Sequence, residues 1–300
     1  MKNTEKQNIA LIGFGEAAMT FVKGWGSQWH PYIKAFDIKT LSPSNAVQQE
    51  KREDYDRSSV QGGQSLPETL TKSSVVFSLV TADQALIAAK EAANHIGNDA
   101  LYLDCNSCAP DTKRQSAQII SDAGGRYVDV AVMAPVQADL RKIPLLLSGP
   151  HASVALDVLQ DLNMSASLLS DSVGDASSVK MMRSIMVKGM EALMMECVLS
   201  ASKAGVDEIV LNSLHDSFPG FNFKERAAYM MERVMTHGVR RAAEMREVTL
   251  SISQLGLDGR MAKATTEWQQ QIGELALQTS DLDKGNYQKL ANIILKSVGN

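Results

Sequence analysis

The chain has 300 residues, of which 44% are hydrophobic and 21% are charged, and its formal net charge is -4. This length, about twice that of a typical domain, predicts two domains. No apolar segment approaches the roughly 20 residues that span a bilayer, and no clustered excess of Lys and Arg indicates a nucleic-acid partner. The amino terminus lacks the apolar core of a signal peptide, and the 3 cysteines are too few for a disulfide framework, so we expect a cytoplasmic protein.

The first half of the chain alternates short apolar runs with helical patterns, which is typical of βαβ units and a parallel sheet. The predicted strands are Ile9–Ile12, Ile33–Ile38, Val75–Val80, Ala100–Asp104, Tyr127–Val132, Pro144–Ser148 and Ser165–Leu169. Their apolar character predicts burial on both faces of the sheet.

The second half of the chain has the three- and four-residue apolar spacing of helices. The predicted helices are Ser177–Lys203, Lys224–Leu255, Asp258–Leu277 and Lys284–Ser297. We therefore predict an α/β fold, in which a doubly wound parallel sheet at 1–173 is followed by an all-helical domain at 174–300. The long first helix joins the two domains. The second domain is expected to bind substrate and to form a dimer.

A glycine-rich segment follows the first predicted strand and precedes a helical pattern. It reads G-x-G-x-x-A and consists of Gly13, Phe14, Gly15, Glu16, Ala17 and Ala18. Gly13 permits a tight turn, Gly15 lets the backbone approach a pyrophosphate, and Ala18 allows close packing of helix on strand. The amino terminus of the helix would then bind the phosphates. These features predict a Rossmann-type dinucleotide site, and a purely structural turn is the alternative.

Asp37 closes the second predicted strand. A carboxylate at this place accepts hydrogen bonds from the adenosine ribose hydroxyls and repels a 2′-phosphate. We therefore predict NAD as the cofactor, with NADP as the alternative because Lys39 lies nearby. An ordinary polar strand end is the structural explanation of Asp37.

Four segments follow one another along the chain: the glycine turn, Asp104–Pro110, Tyr127–Pro135 and Gly174–Lys180. In this order they resemble the β-hydroxyacid dehydrogenase family, which includes 3-hydroxyisobutyrate and 6-phosphogluconate dehydrogenases. Asp104–Pro110 is similar to the family's D-x-S-T-x-x-P, Tyr127–Pro135 stands at the position of its substrate loop, and Gly174–Lys180 is similar to its G-x-G-x-x-x-K. The resemblance extends over nearly the whole chain, and it is strongest to a phosphogluconate-dehydrogenase-like branch with unassigned substrates.

The resemblance implies a catalytic role for one lysine, Lys180, as general acid/base. It further implies that Ser184 and either Asn106 or Ser107 orient the reacting oxygen, and that backbone near Val80 and Thr81 contacts the nicotinamide. The substrate loop departs from the family pattern, since Met133, Ala134 and Pro135 replace residues that bind a substrate carboxylate. The helix carrying His237, Arg240 and Arg241 could supply that contact instead, because Arg binds carboxylates in a bidentate manner.

Residue spacing supports a polar role for Lys180, since Ser184, Lys188 and Glu191 follow it at helical intervals in an otherwise apolar helix. Partial burial and neighbouring positive charge would lower the lysine pKa toward the range useful for a general base. A lysine that extends from an apolar helix to solvent is the alternative. Salt bridges on a solvated surface equally explain the charges around His237.

Other motifs have simpler explanations. Ser107 could cap a helix that begins near Pro110. Cys105 and Cys108 form a C-x-x-C, but no second pair accompanies them, so we predict no metal. The many methionines in the second half indicate adaptable packing in a core and in a homodimer interface.

We therefore predict an NAD-dependent enzyme that transfers hydride between nicotinamide and a small β-hydroxy acid, possible substrates including aromatic β-hydroxy amino acids. The substrate is expected to bind between the two domains, and decarboxylation of a β-keto product could follow. An imine or aldehyde reductase is one alternative, because the altered substrate loop suits a substrate without a carboxylate. A nucleotide-sensing protein without turnover is the other.

Overall fold

The computed structural model describes residues 7–135, 139–140, 143–278, 283 and 285–298. It divides into two compact units, residues 1–180 and 181–300. Unit 1 contains an eight-stranded sheet in the order β3-β2-β1-β4-β5-β6-β7-β8. The strands are β1 Ile9–Ile12, β2 Ile33–Phe36, β3 Gln61–Gly62, β4 Val75–Ser78, β5 Leu101–Asp104, β6 Arg126–Val132, β7 Leu145–Ser148 and β8 Ala166–Ser170.

Helices connect the strands of unit 1. They are α1 Glu16–Trp25, α2 Asn45–Arg57, α3 Leu66–Leu70, α4 Ala85–Ala93, α5 Pro110–Asp122 and α6 Ala152–Asp161. Alternate residues of β1 enter two different hydrophobic clusters: Ile9 and Leu11 join one, while Ala10 and Ile12 join the other. The central strand β1 is therefore covered on both faces, as its apolar character predicted, whereas the edge strand β8, predicted at Ser165–Leu169 to be buried, is largely exposed. The α/β fold class is confirmed.

Two features of the sheet differ from the prediction. Strand β3 was missed, because its two residues are exposed and carry no apolar signal. Strand β7 pairs with β6 in the antiparallel direction, whereas the other neighbouring strands pair in parallel. Because β8 is parallel to β7, both strands run opposite to β1–β6, and residue composition gave no indication of this reversal.

The long predicted helix is α7, Asp175–Ala204, and the two units divide after Lys180 within this helix. The predicted division lay earlier, between residues 173 and 174. The difference has a physical cause, since the N–H groups of Ala176 and Ser177 donate to Ser148 and Asp129 of the sheet. The first turn of α7 is thereby held in unit 1.

Among the described residues of unit 2, the regular secondary structure is entirely α-helix. After α7 come α8 Asp207–Ser217, α9 Phe223–Gln254, α10 Arg260–Glu274 and α11 Tyr287–Val298, of which α8 was not predicted. Several methionines of α7 and α9 lie in its hydrophobic core, as expected for adaptable packing: Met194, Met195, Met230, Met231 and Met235. In the described part of the chain, no helix is both long enough and apolar enough to cross a membrane.

Candidate functional site

The glycine turn after β1 has two glycines with different requirements. Gly13 has a φ of +85°, and a Cβ there would lie 2.6 Å from the Leu79 carbonyl oxygen. Gly15 has a φ of -99°, and a Cβ there would meet no atom within 4 Å. The fold therefore requires glycine at position 13, but the packing of the chain does not require it at position 15.

The backbone of Phe14, between the two glycines, is held at both its N–H and its carbonyl. Its N–H donates to Asp37 Oδ2 at 2.8 Å, and its carbonyl accepts from Lys51 Nζ at 2.7 Å. Lys51 is buried and also binds Asp54 Oδ2 at 2.5 Å, which balances its charge. The turn is thus fixed by one carboxylate from the end of β2 and one ammonium from α2.

Asp37 is half-buried, and its second oxygen, Oδ1, accepts from the Lys39 N–H at 2.9 Å. This bond starts a short 3-10 turn at Ile38–Leu41, which ends β2 earlier than predicted. A carboxylate oxygen has two acceptor positions, so each oxygen of Asp37 retains capacity for a further hydrogen bond. Lys39 is exposed to solvent.

Asn106 connects the ends of β4 and β5. Its Oδ1 accepts from the Val80 N–H at 2.7 Å, and its Nδ2 donates to Ser78 Oγ at 2.9 Å and to Asp104 Oδ1 at 2.8 Å. With 4% exposure and its polar atoms engaged, the amide sets the path of the backbone at the end of β4. Val80 is half-buried there and Thr81 is exposed.

Ser107 and Lys180 are brought together from distant parts of unit 1. Lys180 Nζ donates to Ser107 Oγ at 2.6 Å, and both residues are half-buried. Ser107 does not cap α5, whose N-cap residue is Ala109, but the predicted start of that helix at Pro110 is correct. The structure therefore pairs the lysine with the serine that follows β5, two residues whose roles were predicted separately.

A buried cluster of charged groups lies next to these residues. The ammonium of Lys113, on α5, donates to Asp104 Oδ1 at 3.0 Å and lies 3.4 Å from Asp129 Oδ1. All three side chains have 0% exposure. Burial alone would lower the pKa of Lys113, but the two carboxylates raise it above its ordinary value, so the side chain is an ammonium.

Asp104 and Asp129 stand in segments that carry the family resemblance but had no predicted role, and Lys113 and Lys51 were not predicted as site residues. A lysine in a helix is usually solvated, and only the tertiary structure encloses these two. Nearby, burial raises the pKa of the Cys105 thiol to about 12, which does not favour the thiolate that redox or metal chemistry needs.

The substrate loop predicted at residues 133–135 follows β6. The N–H of Met133 donates to the Pro144 carbonyl at 2.9 Å, and Pro135 has no N–H. Met133 and Ala134 are half-buried and Pro135 is exposed. Hence these side chains offer apolar surface and no charged partner for a carboxylate.

The remaining predicted residues lie in unit 2. Ser184 is buried and accepts from Lys188 Nζ at 3.2 Å, and Lys188 also pairs with Glu244 at 2.9 Å. Arg240, with a side chain 54% exposed, pairs with the same glutamate at 2.9 Å. His237 is half-buried on the same helix, α9.

Arg241 differs from its neighbour because its guanidinium is buried. It binds both carboxylate oxygens of Glu191, and Gln269 Nε2 donates to one of them at 3.1 Å. An arginine and a glutamate paired in this way satisfy each other's charge inside unit 2. The predicted substrate contact of Arg241 would compete with this pair.

Comparisons with known proteins agree with this architecture. Residues 201–272 match a family model described as a domain of unknown function (DUF1932). A solved structure of a conserved hypothetical protein from Sinorhizobium meliloti 1021 has 32% sequence identity and a TM-score of 0.75, and the alignment covers 98% of this chain and 97% of that chain.

Two further solved structures connect the fold to dehydrogenases. Conserved protein MTH1747, of unknown function and described as structurally similar to 3-hydroxyacid dehydrogenases, has 27% identity and a TM-score of 0.66, covering 89% of this chain and 96% of its own. The 3-hydroxyisobutyrate dehydrogenase of Mycobacterium tuberculosis, solved with L-serine, has 12% identity and a TM-score of 0.71, covering 96% and 99% of the two chains. The family predicted from the sequence is confirmed: the chain belongs to the β-hydroxyacid-dehydrogenase-like proteins, together with the Sinorhizobium protein.

Proposed function

We propose that the protein is a nicotinamide-dependent oxidoreductase acting on a small β-hydroxy acid, with Lys180 as general acid/base. The observation that carries the proposal is the 2.6 Å hydrogen bond from Lys180 Nζ to Ser107 Oγ. Ser107 follows β5, which neighbours β4, and β4 neighbours the β1 strand that leads into the glycine turn. Ligands of open α/β sheets bind outside the carboxyl ends of such strands.

Lys180 and Ser107 have complementary tasks in this reaction. In the oxidising direction, the neutral amine of Lys180 removes the proton of the substrate alcohol, and in the reducing direction its ammonium returns a proton to the forming alkoxide. Because Ser107 Oγ accepts from Lys180, the serine hydroxyl can donate its own proton to the reacting oxygen. Asn106 positions the adjoining backbone and does not touch the substrate. A bound nicotinamide supplies the hydride acceptor or donor.

The glycine turn fits a dinucleotide. Gly15 is exposed and has open space where a Cβ would be. We therefore assign this glycine to the close approach of a bound pyrophosphate, which a side chain would obstruct. The first helical hydrogen bond of α1 is from the Met19 N–H to the Gly15 carbonyl. The N–H groups of Glu16, Ala17 and Ala18 precede it and are those we assign to the phosphates.

Asp37 supports NAD as the preferred cofactor. Its oxygens retain acceptor capacity for two ribose hydroxyls while they hold the Phe14 and Lys39 N–H groups. The Asp37 carboxylate would repel a 2′-phosphate, and Lys39 is the nearby cation that could offset this repulsion. We therefore propose NAD over NADP, with backbone at Val80 and Thr81 on the nicotinamide side.

For the substrate carboxylate, the geometry favours Arg240 over Arg241. Arg241 is committed to the buried carboxylate of Glu191, whereas Arg240 is largely exposed and shares Glu244 with Lys188. The loop at Met133, Ala134 and Pro135 would then contact the apolar part of the substrate. Substrate binding by His237 and alignment of the reacting oxygen by Ser184 stay predictions.

A homodimer is the expected assembly. Three apolar side chains, seven residues apart on α7, are exposed: Val179 at 41%, Met186 at 63% and Leu193 at 63%. A spacing of seven residues places them on one face of the helix. An apolar helix face of this kind is typical of an interface between subunits.

The first prediction concerns cofactor binding. Gly15→Ala should raise the Kd for NAD at least about tenfold, because a methyl group occupies the space assigned to the pyrophosphate. Its free energy of unfolding should stay within about 1 kcal/mol of wild type, since the backbone at Gly15 needs no positive φ. Titration calorimetry with NAD and NADP, together with urea unfolding, measures both quantities.

The matched control for Gly15→Ala is Gly13→Ala, which should lower the free energy of unfolding by about 2 kcal/mol or more through strain and a backbone clash. Wild-type affinity for NAD in Gly15→Ala would contradict the assigned phosphate site. Tighter binding of NADP than of NAD to the wild type would overturn the role of Asp37.

The second prediction tests the reaction. Lys180→Met should lower kcat by about 10² to 10⁴ while the Kd for NAD stays within about twofold, because the lysine acts on the substrate proton. The assay follows NADH formation at mildly alkaline pH across a panel of β-hydroxy acids that includes aromatic β-hydroxy amino acids. Lys203→Met, at the exposed far end of the same helix, is the control.

Three outcomes distinguish the hypotheses. Retention of more than about a tenth of kcat in Lys180→Met, where chemistry limits the rate, would exclude Lys180 as the base. Turnover of ketones with amines, or of aldehydes, without turnover of hydroxy acids would favour the reductase alternative. NAD binding with no turnover of any compound would favour a nucleotide-sensing protein.

The third prediction separates the two arginines. Arg240→Lys should raise KM about tenfold for acidic substrates and much less for neutral analogues, because the bidentate contact is lost. Arg241→Lys should instead lower the free energy of unfolding by about 2 kcal/mol through loss of hydrogen bonds to Glu191. Steady-state kinetics and urea unfolding check both, and a KM in Arg240→Lys that changes equally for both substrate types would contradict the contact.

A further inference from the structure

The Asp104, Lys113 and Asp129 side chains, here called the buried triad, are three charged groups with 0% exposure. Removing an ammonium from water is costly unless carboxylates and hydrogen bonds compensate for the lost hydration. Lys113 Nζ has that compensation, since it donates to the Asp104 carbonyl at 2.6 Å as well as to the Asp104 carboxylate, and it faces Asp129. The triad is therefore a complete set of partners, and neither carboxylate needs solvent.

The first carboxylate of the triad organises the segment that carries Ser107. Asp104 Oδ1 accepts from both the N–H and the Nδ2 of Asn106, at 3.0 Å and 2.8 Å. Its Oδ2 accepts from the Tyr127 hydroxyl at 2.7 Å. Ser107 is the next residue after Asn106. The Asp104 carboxylate, by binding Asn106, therefore also fixes the position of the Ser107 backbone.

The second carboxylate organises the start of the helix that carries Lys180. Asp129 Oδ2 accepts from the N–H groups of Gly174 and Ser177, at 3.2 Å and 3.0 Å, and Oδ1 accepts from Ser177 Oγ at 2.6 Å. It thus caps the amino terminus of α7 from a neighbouring strand, which also suits the helix dipole. Lys180 follows Ser177 by one helical turn.

Lys113 is the group that contacts both carboxylates, so it joins the two organised segments. We propose that Lys113 is a positioning residue, whose ammonium sets the alignment of Ser107 with Lys180 through Asp104 and Asp129. The role of this alignment in catalysis rests on the proposed function. The alignment itself is a property of unit 1 and can be measured without a substrate.

A single Lys113→Met change would leave two carboxylates buried without a cation, which is the most destabilising way to disturb an ion pair. The double variant Lys113→Met/Asp129→Asn, here called the neutral-pair variant, leaves one such carboxylate, Asp104, instead of two. It removes one positive and one negative charge, so the net charge near Lys180 is unchanged. The Asn side chain still offers an oxygen to the N–H groups of α7.

The experiment measures how fast the Lys180 amine reacts with acetic anhydride at pH 8, by mass spectrometry of the peptide that contains it. Ser107 Oγ accepts a hydrogen bond from the ammonium and so favours the protonated form. Ser107→Ala should therefore increase the reactive amine and raise the rate of labelling about threefold or more. The neutral-pair variant should raise it in the same direction, because the serine is no longer aligned.

Combining the two changes distinguishes positioning from general destabilisation. If Lys113 acts through the Ser107 to Lys180 contact, adding Ser107→Ala to the neutral-pair variant should change the rate less than about 1.5-fold, since effects on one contact are not additive. Ile120→Ala is the matched control, because Ile120 lies on the same helix α5 with 0% exposure. It should lower Tm and leave the rate at Lys180 within about 1.5-fold.

A wild-type labelling rate in the neutral-pair variant, or rate increases that multiply fully with Ser107→Ala, would overturn the positioning role. So would a rate increase of equal size in Ile120→Ala. If the neutral-pair variant does not fold, Asp129→Asn alone weakens the same connection, and the same non-additivity is expected. These outcomes do not depend on turnover, so a failure of the dehydrogenase proposal in the Lys180→Met assay would be recognised separately.

Discussion

The enclosure of one ammonium between two carboxylates is the constraint on which the candidate site depends. Lys113 lies in the interior of unit 1 with Asp104 at the end of β5 and Asp129 in β6. A cation in this position is stable only while both partners stay in place. Those partners hold the segment after β5, which supplies the serine of the proposed chemistry, and the start of α7, the helix that supplies the lysine.

The glycine turn is held by a similar arrangement on the other side of β1. There Asp37 accepts from the Phe14 N–H and Lys51 donates to the Phe14 carbonyl, while Asp54 balances the positive charge of Lys51. In both places, charged residues fix a group of the candidate site, and each lysine involved is itself paired with a carboxylate. Preorganisation of this kind lowers the cost of aligning groups when a ligand binds.

The sequence predicted the parts of this protein that depend on local patterns. Apolar runs predicted the buried strands, and the motif resemblance singled out Ser107 and Lys180, which the structure joins by a hydrogen bond while their roles in a reaction stay predictions. Features without a local pattern were missed. Strand β3 has two exposed residues, and the reversed direction of β7 has no signature in its composition.

Pairings between distant residues were equally hidden. From the sequence, Lys113, three positions after Pro110, is expected to be a solvated helix residue. Arg241 pairs with Glu191, which is 50 residues away in the sequence. Whether a charged side chain is exposed or enclosed depends on which elements pack over it, and that is a tertiary property. The predicted role of Arg241 on a substrate therefore could not be weighed until its buried partner was known.

The most direct measurement of the central constraint is the protonation state of Lys113. Selective ¹⁵N labelling of lysine side chains and proton–nitrogen spectroscopy report ammonium groups whose protons exchange slowly with water. The account predicts an ammonium signal that is present at pH 9, that disappears in Lys113→Met, and that persists where signals of exposed lysines are lost to exchange. A neutral-amine nitrogen shift for Lys113 at that pH, or exchange as fast as that of exposed lysines, would contradict the account.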